Sequence, residues 1–122
     1  MDIEKICHFF NNFGDGLILE FQFFWNSNNN QETFTFTIEA MNQTRVLKKV
    51  KFSVSGVQHF KLTHDRDKLN YQVISNGIHI VKFEDLWTVE FGTFADPVST
   101  FLEVMESDFY VTGKNIQYQI ME

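Results

Sequence analysis

Along most of the chain, apolar and polar positions alternate. Leu17, Leu19, Phe21 and Phe23 alternate with Ile18, Glu20, Gln22 and Phe24, the two-residue repeat of a strand rather than the 3.6-residue repeat of a helix. Residues 26–31 are polar and turn-prone, and Phe34, Phe36 and Ile38 then alternate with Thr33, Thr35 and Thr37, so the two runs predict a long hairpin. A third strand is predicted where Val50, Phe52 and Val54 alternate with Lys49, Lys51 and Ser53, with the lysines toward solvent. Gly56 predicts a bend, after which Phe60 and Leu62 mark a short fourth strand. Asn76-Gly77 is the dipeptide favoured in type I′ turns, and a two-residue loop there predicts Val73 opposite Ile80 and Ile74 opposite His79. Residues 86–91, 109–112 and 116–120 supply further alternating runs, the last two parted by Gly113.

Helical spacing occurs twice. Asp2 suits an N-cap before Ile3, Ile6, Cys7, Phe10 and Phe13, with Gly14 as a stop, which predicts a helix over residues 3–13. Asp96 and Pro97 predict the start of a short helix near 97–106, with Val98, Phe101, Leu102 and Met105 on one face. The expected fold is α+β and mainly β. It is an antiparallel curved sheet or partial sandwich of about seven to nine strands, carrying the N-terminal helix and connected as an open meander. Residues 1–122 are expected to form a single domain, since neither a linker nor a repeat divides them.

Composition agrees with a packed core. Fifteen phenylalanines among 122 residues provide large apolar side chains, each burying about 150–250 Å². Cys7, the one cysteine, excludes an intrachain disulfide framework and points to a reducing, cytoplasmic setting. Neither a signal peptide nor a membrane span is expected, because Glu20 and Gln22 interrupt the most apolar run.

Net charge is −6, which argues against nucleic acid as a partner, since phosphate binding draws on Lys and Arg. The charges are segregated along the chain. Seven of the ten basic residues lie between Arg45 and Lys68, and seven acids with no basic residue lie between Glu84 and Asp108. Such segments either complement one another within the fold or steer a charged partner.

Candidate chemistry is sparse, and neither a metal site nor a cofactor is expected. His59 stands beside Lys61, His64 opens a charged turn, and His79 reads as a satisfied, partly buried ring. His8 and Cys7 are about 100° apart on a helix and do not converge on one ligand. Asp65-Arg66-Asp67 begins like a calcium loop, but Asn70 and Asn76 stand where that loop needs its glycine and glutamate. Phe13-Gly14-Asp15-Gly16 lacks the lysine of a phosphate-binding loop. The serines lie in no nucleophile motif, and the carboxylate pairs Glu84-Asp85 and Glu103/Glu106 read as solvated surface. No catalytic residue is therefore assigned. Phe34 and Phe36 alternate with threonine rather than with the glycines and basic residues of an RNA-binding sheet.

Several segments together resemble a known family. With the N-terminal helix, they are Phe13-Gly14-Asp15-Gly16-Leu17-Ile18, Phe52-Ser53-Val54-Ser55-Gly56-Val57, Ser107-Asp108-Phe109-Tyr110-Val111 and Ile116-Gln117-Tyr118. The pattern is similar to small bacterial immunity proteins of polymorphic-toxin systems, the immunity protein fifty family, except that Gly14 stands where a histidine is expected. The resemblance implies a non-catalytic cytoplasmic protein that neutralises a cognate, basic, nuclease-type toxin domain by binding it. The acids Glu84, Asp85, Glu90, Asp96, Glu103, Glu106 and Asp108 are the expected contact residues, with Trp87 either an aromatic anchor or core. The alternatives are a self-associating assembly subunit, hence a homo-oligomer, or a small-ligand-binding domain.

Overall fold

The computed structural model describes residues 2–26, 31–63, 73–74, 76–92 and 99–121. It is mainly β. Helix α1 (Ile3–Phe9) is followed by a single 3-10 turn (Asn11–Phe13) and the strands β1 (Gly16–Asn26), β2 (Gln31–Met41), β3 (Leu47–Leu62), β4 (Val73–Ile74), β5 (His79–Phe83) and β6 (Leu86–Glu90). Helix α2 (Phe101–Met105) and β7 (Phe109–Met121) complete the described chain. All strands belong to one antiparallel sheet of order β4-β1-β2-β3-β7-β6-β5. Among the described residues six strands have five residues or more and β4 is a two-residue rung, fewer full strands than the alternation suggests.

The reduction has a physical cause. Gly56 and Gly113, read as strand ends, lie inside β3 and β7, which run on through them and pair over most of their length. The ladder shifts register between Val57 and His59, and Gly56 has φ +65°, so this is a bulge that bends the sheet. A Cβ on Gly113 would lie 2.8 Å from the Ser55 carbonyl oxygen, which explains the glycine opposite the bend. Pairing of β3 with β7 also departs from an open meander: two meanders, β1-β2-β3 and β5-β6-β7, join through their longest strands.

Connectivity rolls this sheet. The outermost strands β4 and β5 are separated by only residues 75–78, a path of at most about 19 Å, whereas a flat sheet of this order would hold them about 29 Å apart. Ring contacts across the hollow agree. Phe21 of β1 meets Phe109 of β7, three strands away, at 5.5 Å between centroids, and Phe36 meets Phe91 at 4.8 Å. The interior is filled by Phe34, Phe36, Phe52, Phe91, Phe109 and the aliphatic residues between them.

Helix α1 closes one end of the roll. Asp2 caps it, accepting from the Lys5 N–H at 2.9 Å, and Ile6, Cys7, Phe10 and Phe13 enter the core. The helix is shorter than its spacing predicts because Asn11, Asn12 and Phe13 all take positive φ. This left-handed turn brings the Asn12 carbonyl to the Ile78 N–H at 2.8 Å and stacks Phe13 on Phe10.

Asn76-Gly77 does not form the expected hairpin. Val73 and Ile74 pair with Leu17 and Gly16, and β5 pairs with β6, so Val73 does not face Ile80, nor Ile74 His79. Of the two turn residues only Gly77 has positive φ, and a type I′ turn requires it at both. The Gly77 N–H instead donates to Ile74 O at 3.0 Å.

Burial, then the nearby Glu4 carboxylate, pushes the Cys7 thiol up to about 12. Since the thiolate is the reactive form, Cys7 is expected to resist iodoacetamide at pH 8 and to label only as the chain unfolds. Labelling in native buffer at the rate of the urea-unfolded chain would contradict this burial.

Candidate functional site

The residues singled out by charge divide between two sides of the sheet. In β6 the side chains alternate, so Trp87 and Val89 point one way and Thr88 and Glu90 the other. Val89 belongs to the main core, and Trp87, beneath the Lys82 ammonium at 5.4 Å, shares the inner side. Trp87 is therefore turned away from the outer face, where α2 lies, and does not anchor that face.

Helix α2 packs on the outer face of β5 and β7. Its Phe101 and Val104 meet Val81, Phe83 and Tyr110, with the Phe101 ring also 5.4 Å from His59. The helix begins later than predicted. Thr100 is the N-cap, accepting from the Glu103 N–H at 3.2 Å, while the Glu103 carboxylate accepts from the Ser99 hydroxyl at 2.9 Å. This reciprocal arrangement resembles a capping box and fixes the first turn. Asp96, Pro97 and His64 lie outside the described residues.

Below α2 lies a buried polar node that the sequence did not reveal. Glu90 is completely buried, which removes it from any contact face. Its Oε1 accepts from His79 Nδ1 and from the Gly92 N–H, each at 3.1 Å, and its Oε2 accepts from the Ser107 hydroxyl at 2.7 Å. Ser107 Oγ in turn accepts from the Phe109 N–H at 3.1 Å. The carboxylate thus ties β5, the segment after β6 and the link from α2 to β7 together. In sequence, Thr88 and Glu90 occupy the half of the alternation that would ordinarily face water; α2 folding over that half buries them. The neighbouring hydroxyls of Thr88 and Thr112 are buried without a hydrogen-bond partner. The seat of α2 therefore relies on the Glu90 node as well as on apolar packing.

This node combines Ser, His and a carboxylate, but its geometry is not that of a nucleophile. The carboxylate stands between the other two groups and Ser107 bonds to it rather than to the imidazole, whereas an activated serine bonds to its base. Ser107 is also fully buried. Among the described residues no group of three or more His, Cys, Asp or Glu is arranged to hold a metal ion. Likewise, no helix among them is long and apolar enough to cross a membrane.

Solvent meets a different surface on α2. Leu102 is 76% and Met105 48% exposed, and Glu103 and Glu106 are exposed beside them. Phe83 packs against Phe101, which places the exposed β5–β6 turn, Glu84-Asp85, next to the start of the helix. Glu103 and Glu106 thus flank this apolar pair along α2, the Glu84-Asp85 turn lies toward the start of the helix, and Asp108 is half-buried at the helix exit. The apolar pair was not recognised as surface, because its spacing reads equally as the buried side of a helix. No ion pair joins Glu84, Asp85, Glu103 or Glu106 to Arg45, Lys48, Lys49, Lys51 or Lys61 among the described residues. Lys61 of the basic segment nonetheless reaches α2, where its ammonium donates to the Met105 carbonyl at 3.3 Å.

Protein-family models, curated proteins and solved structures give no match to this chain. The geometry of the α2 face accordingly carries the functional reading.

Proposed function

We propose that this chain is a non-catalytic protein-binding domain that receives a basic partner on the α2 face. The observation that carries this reading is the pair Leu102 and Met105, exposed on α2 and bordered by carboxylates. An apolar centre supplies affinity when it is desolvated, and a charged rim supplies encounter rate and selectivity. In line with the resemblance to immunity proteins, the partner is a toxin domain and binding neutralises it in the cytoplasm. An acidic inhibitor suits a toxin that acts on nucleic acid, because such a domain is itself basic.

The test is affinity capture from source cells with the wild-type chain and with a Leu102→Ser/Met105→Ser variant, at low and moderate salt. The wild type is expected to retain a basic protein stoichiometrically, and the variant to retain at least about tenfold less. Replacing Glu84, Asp85 and Glu106 by lysine is expected to slow association by roughly 10–100-fold at low salt, with little change in dissociation. Equal capture by wild type and both variants would remove the α2 face from the account.

A further inference from the structure

At the end of the roll where α1 docks, a hollow of about 540 Å³ opens between the entry to β1 and the turn from β2 to β3. Its most informative wall is Asn42, which is only 7% exposed. The Asn42 Oδ1 accepts from the Thr44 N–H at 2.9 Å, the Thr44 hydroxyl at 2.7 Å and the Val46 N–H at 3.0 Å. Backbone N–H groups only donate, so these contacts fix which end of the carboxamide is oxygen and turn its NH2 group the other way. Nδ2 has no acceptor among the described residues. Nor is it sealed in, since the only side-chain atoms closed off there without a partner are the hydroxyls of Thr88 and Thr112. A buried carboxamide thus presents a free donor to the hollow that it lines. The donor is held in place, because the Gln43 N–H and side-chain amide anchor the same turn on the Phe9 and His8 carbonyls at 2.9 and 3.1 Å.

Charge completes the lining. Arg45 stands in this turn with φ +63°, a conformation that glycine takes without strain and arginine does not, so the backbone alone does not call for this side chain. Asp15 and Glu39 bring two carboxylates to the same hollow. None of the three is ion-paired among the described residues, so opposite charges line one cavity without meeting. The wall beside them is apolar: strand pairing sets Leu17 next to Glu39 and Met41 next to Leu47. From this the geometry points to a binding site for a small zwitterion with an apolar side chain, an α-amino acid or a short peptide. Its carboxylate would meet the Asn42 amide and Arg45, and its ammonium would meet Asp15 and Glu39. Other small ligands fit less well. A plain anion meets two carboxylates, and a plain cation meets Arg45 and leaves the Asn42 donor unpaired. A sugar or nucleobase finds no exposed ring to stack on, since Phe10, the one aromatic residue in the lining, is buried. The hollow falls in the usual size range of small-molecule sites, about 300–1,000 Å³, and shares no residue with the α2 face.

The test follows backbone amide shifts of the isotope-labelled chain during titration with L-leucine and, separately, with the dipeptide leucyl-leucine, each to about 20 mM. At least one of them is expected to bind with a Kd of about 1 mM or tighter, with shifts centred on residues 10–17 and 39–47; the tighter of the two tells free amino acid from peptide. Isoamylamine, which lacks the carboxylate, and isocaproate, which lacks the ammonium, are each expected to bind at least about tenfold more weakly. Asn42→Asp keeps an oxygen for the three turn donors and exchanges the NH2 group for a second oxygen, so the turn stays and binding is expected to fall by at least about tenfold. Arg45→Gly relieves the left-handed position, so its urea midpoint should hold or rise while binding weakens by a similar factor; a merely structural arginine would not separate the two readouts. Leu102→Ser/Met105→Ser is expected to bind the probes as the wild type does. Absence of shifts with both zwitterions, equal binding of the amine or the carboxylate alone, or binding unchanged in both Asn42→Asp and Arg45→Gly overturns the site.

Discussion

Replacing Glu90 by alanine is expected to lower the unfolding free energy by about 3–5 kcal/mol, since it strands several buried polar groups at once. The carboxylate holds three groups from three segments: the His79 ring, the Gly92 N–H and the Ser107 hydroxyl. Deleting it leaves all three to find new partners in a space closed to water, and an unsatisfied buried polar group costs about 1–3 kcal/mol. Glu90→Gln keeps the size and one acceptor oxygen, so a smaller loss of about 1–3 kcal/mol is expected. Urea unfolding at pH 7, followed by circular dichroism, measures both. Since Ser107 lies at the exit of α2, the alanine variant should also expose α2 amides to exchange before the rest of the sheet opens. A loss below about 1 kcal/mol for Glu90→Ala would mean that the node does not hold the α2 face in place.

The second large effect is expected at Gly77. Its φ of +74° lies in the left-handed region, and a Cβ there would sit 2.2 Å from the Asn12 carbonyl oxygen. The obstacle is backbone, not the end of a flexible side chain. That carbonyl accepts from the Ile78 N–H at 2.8 Å, so moving it breaks the link between the left-handed turn after α1 and the connection from β4 to β5. Gly77→Ala is expected to cost at least about 2 kcal/mol from the φ penalty and the displaced carbonyl together. The same urea unfolding experiment checks it. A neutral alanine would show that the closed end of the roll tolerates rearrangement that this packing does not allow.

Much of the sheet was legible because its alternation is strong. Phe34, Phe36 and Ile38, then Val50, Phe52 and Val54, all lie in the core, as a two-residue period requires. Glycine was ambiguous: Gly56 and Gly113 look like turns in sequence, and only the long-range pairing of β3 with β7 makes them a bend within continuous strands. Asn76-Gly77 carried a real backbone signal, since Gly77 does take positive φ, but a local preference does not choose which distant strand Ile74 joins. In the candidate site, Glu84, Asp85, Glu103 and Glu106 were legible as surface acids. Glu90 was not separable from them, because whether the outer face of β6 meets water depends on α2 folding across it.

The most direct measurement of the central claim is hydrogen exchange of the chain alone and in complex with its captured basic partner. Binding on the α2 face predicts slowed exchange at residues 99–106 and at the 83–86 turn, with β1 unchanged by the partner. Protection confined to β1, or to the end closed by α1, would contradict the account and move the contact face elsewhere on the sheet.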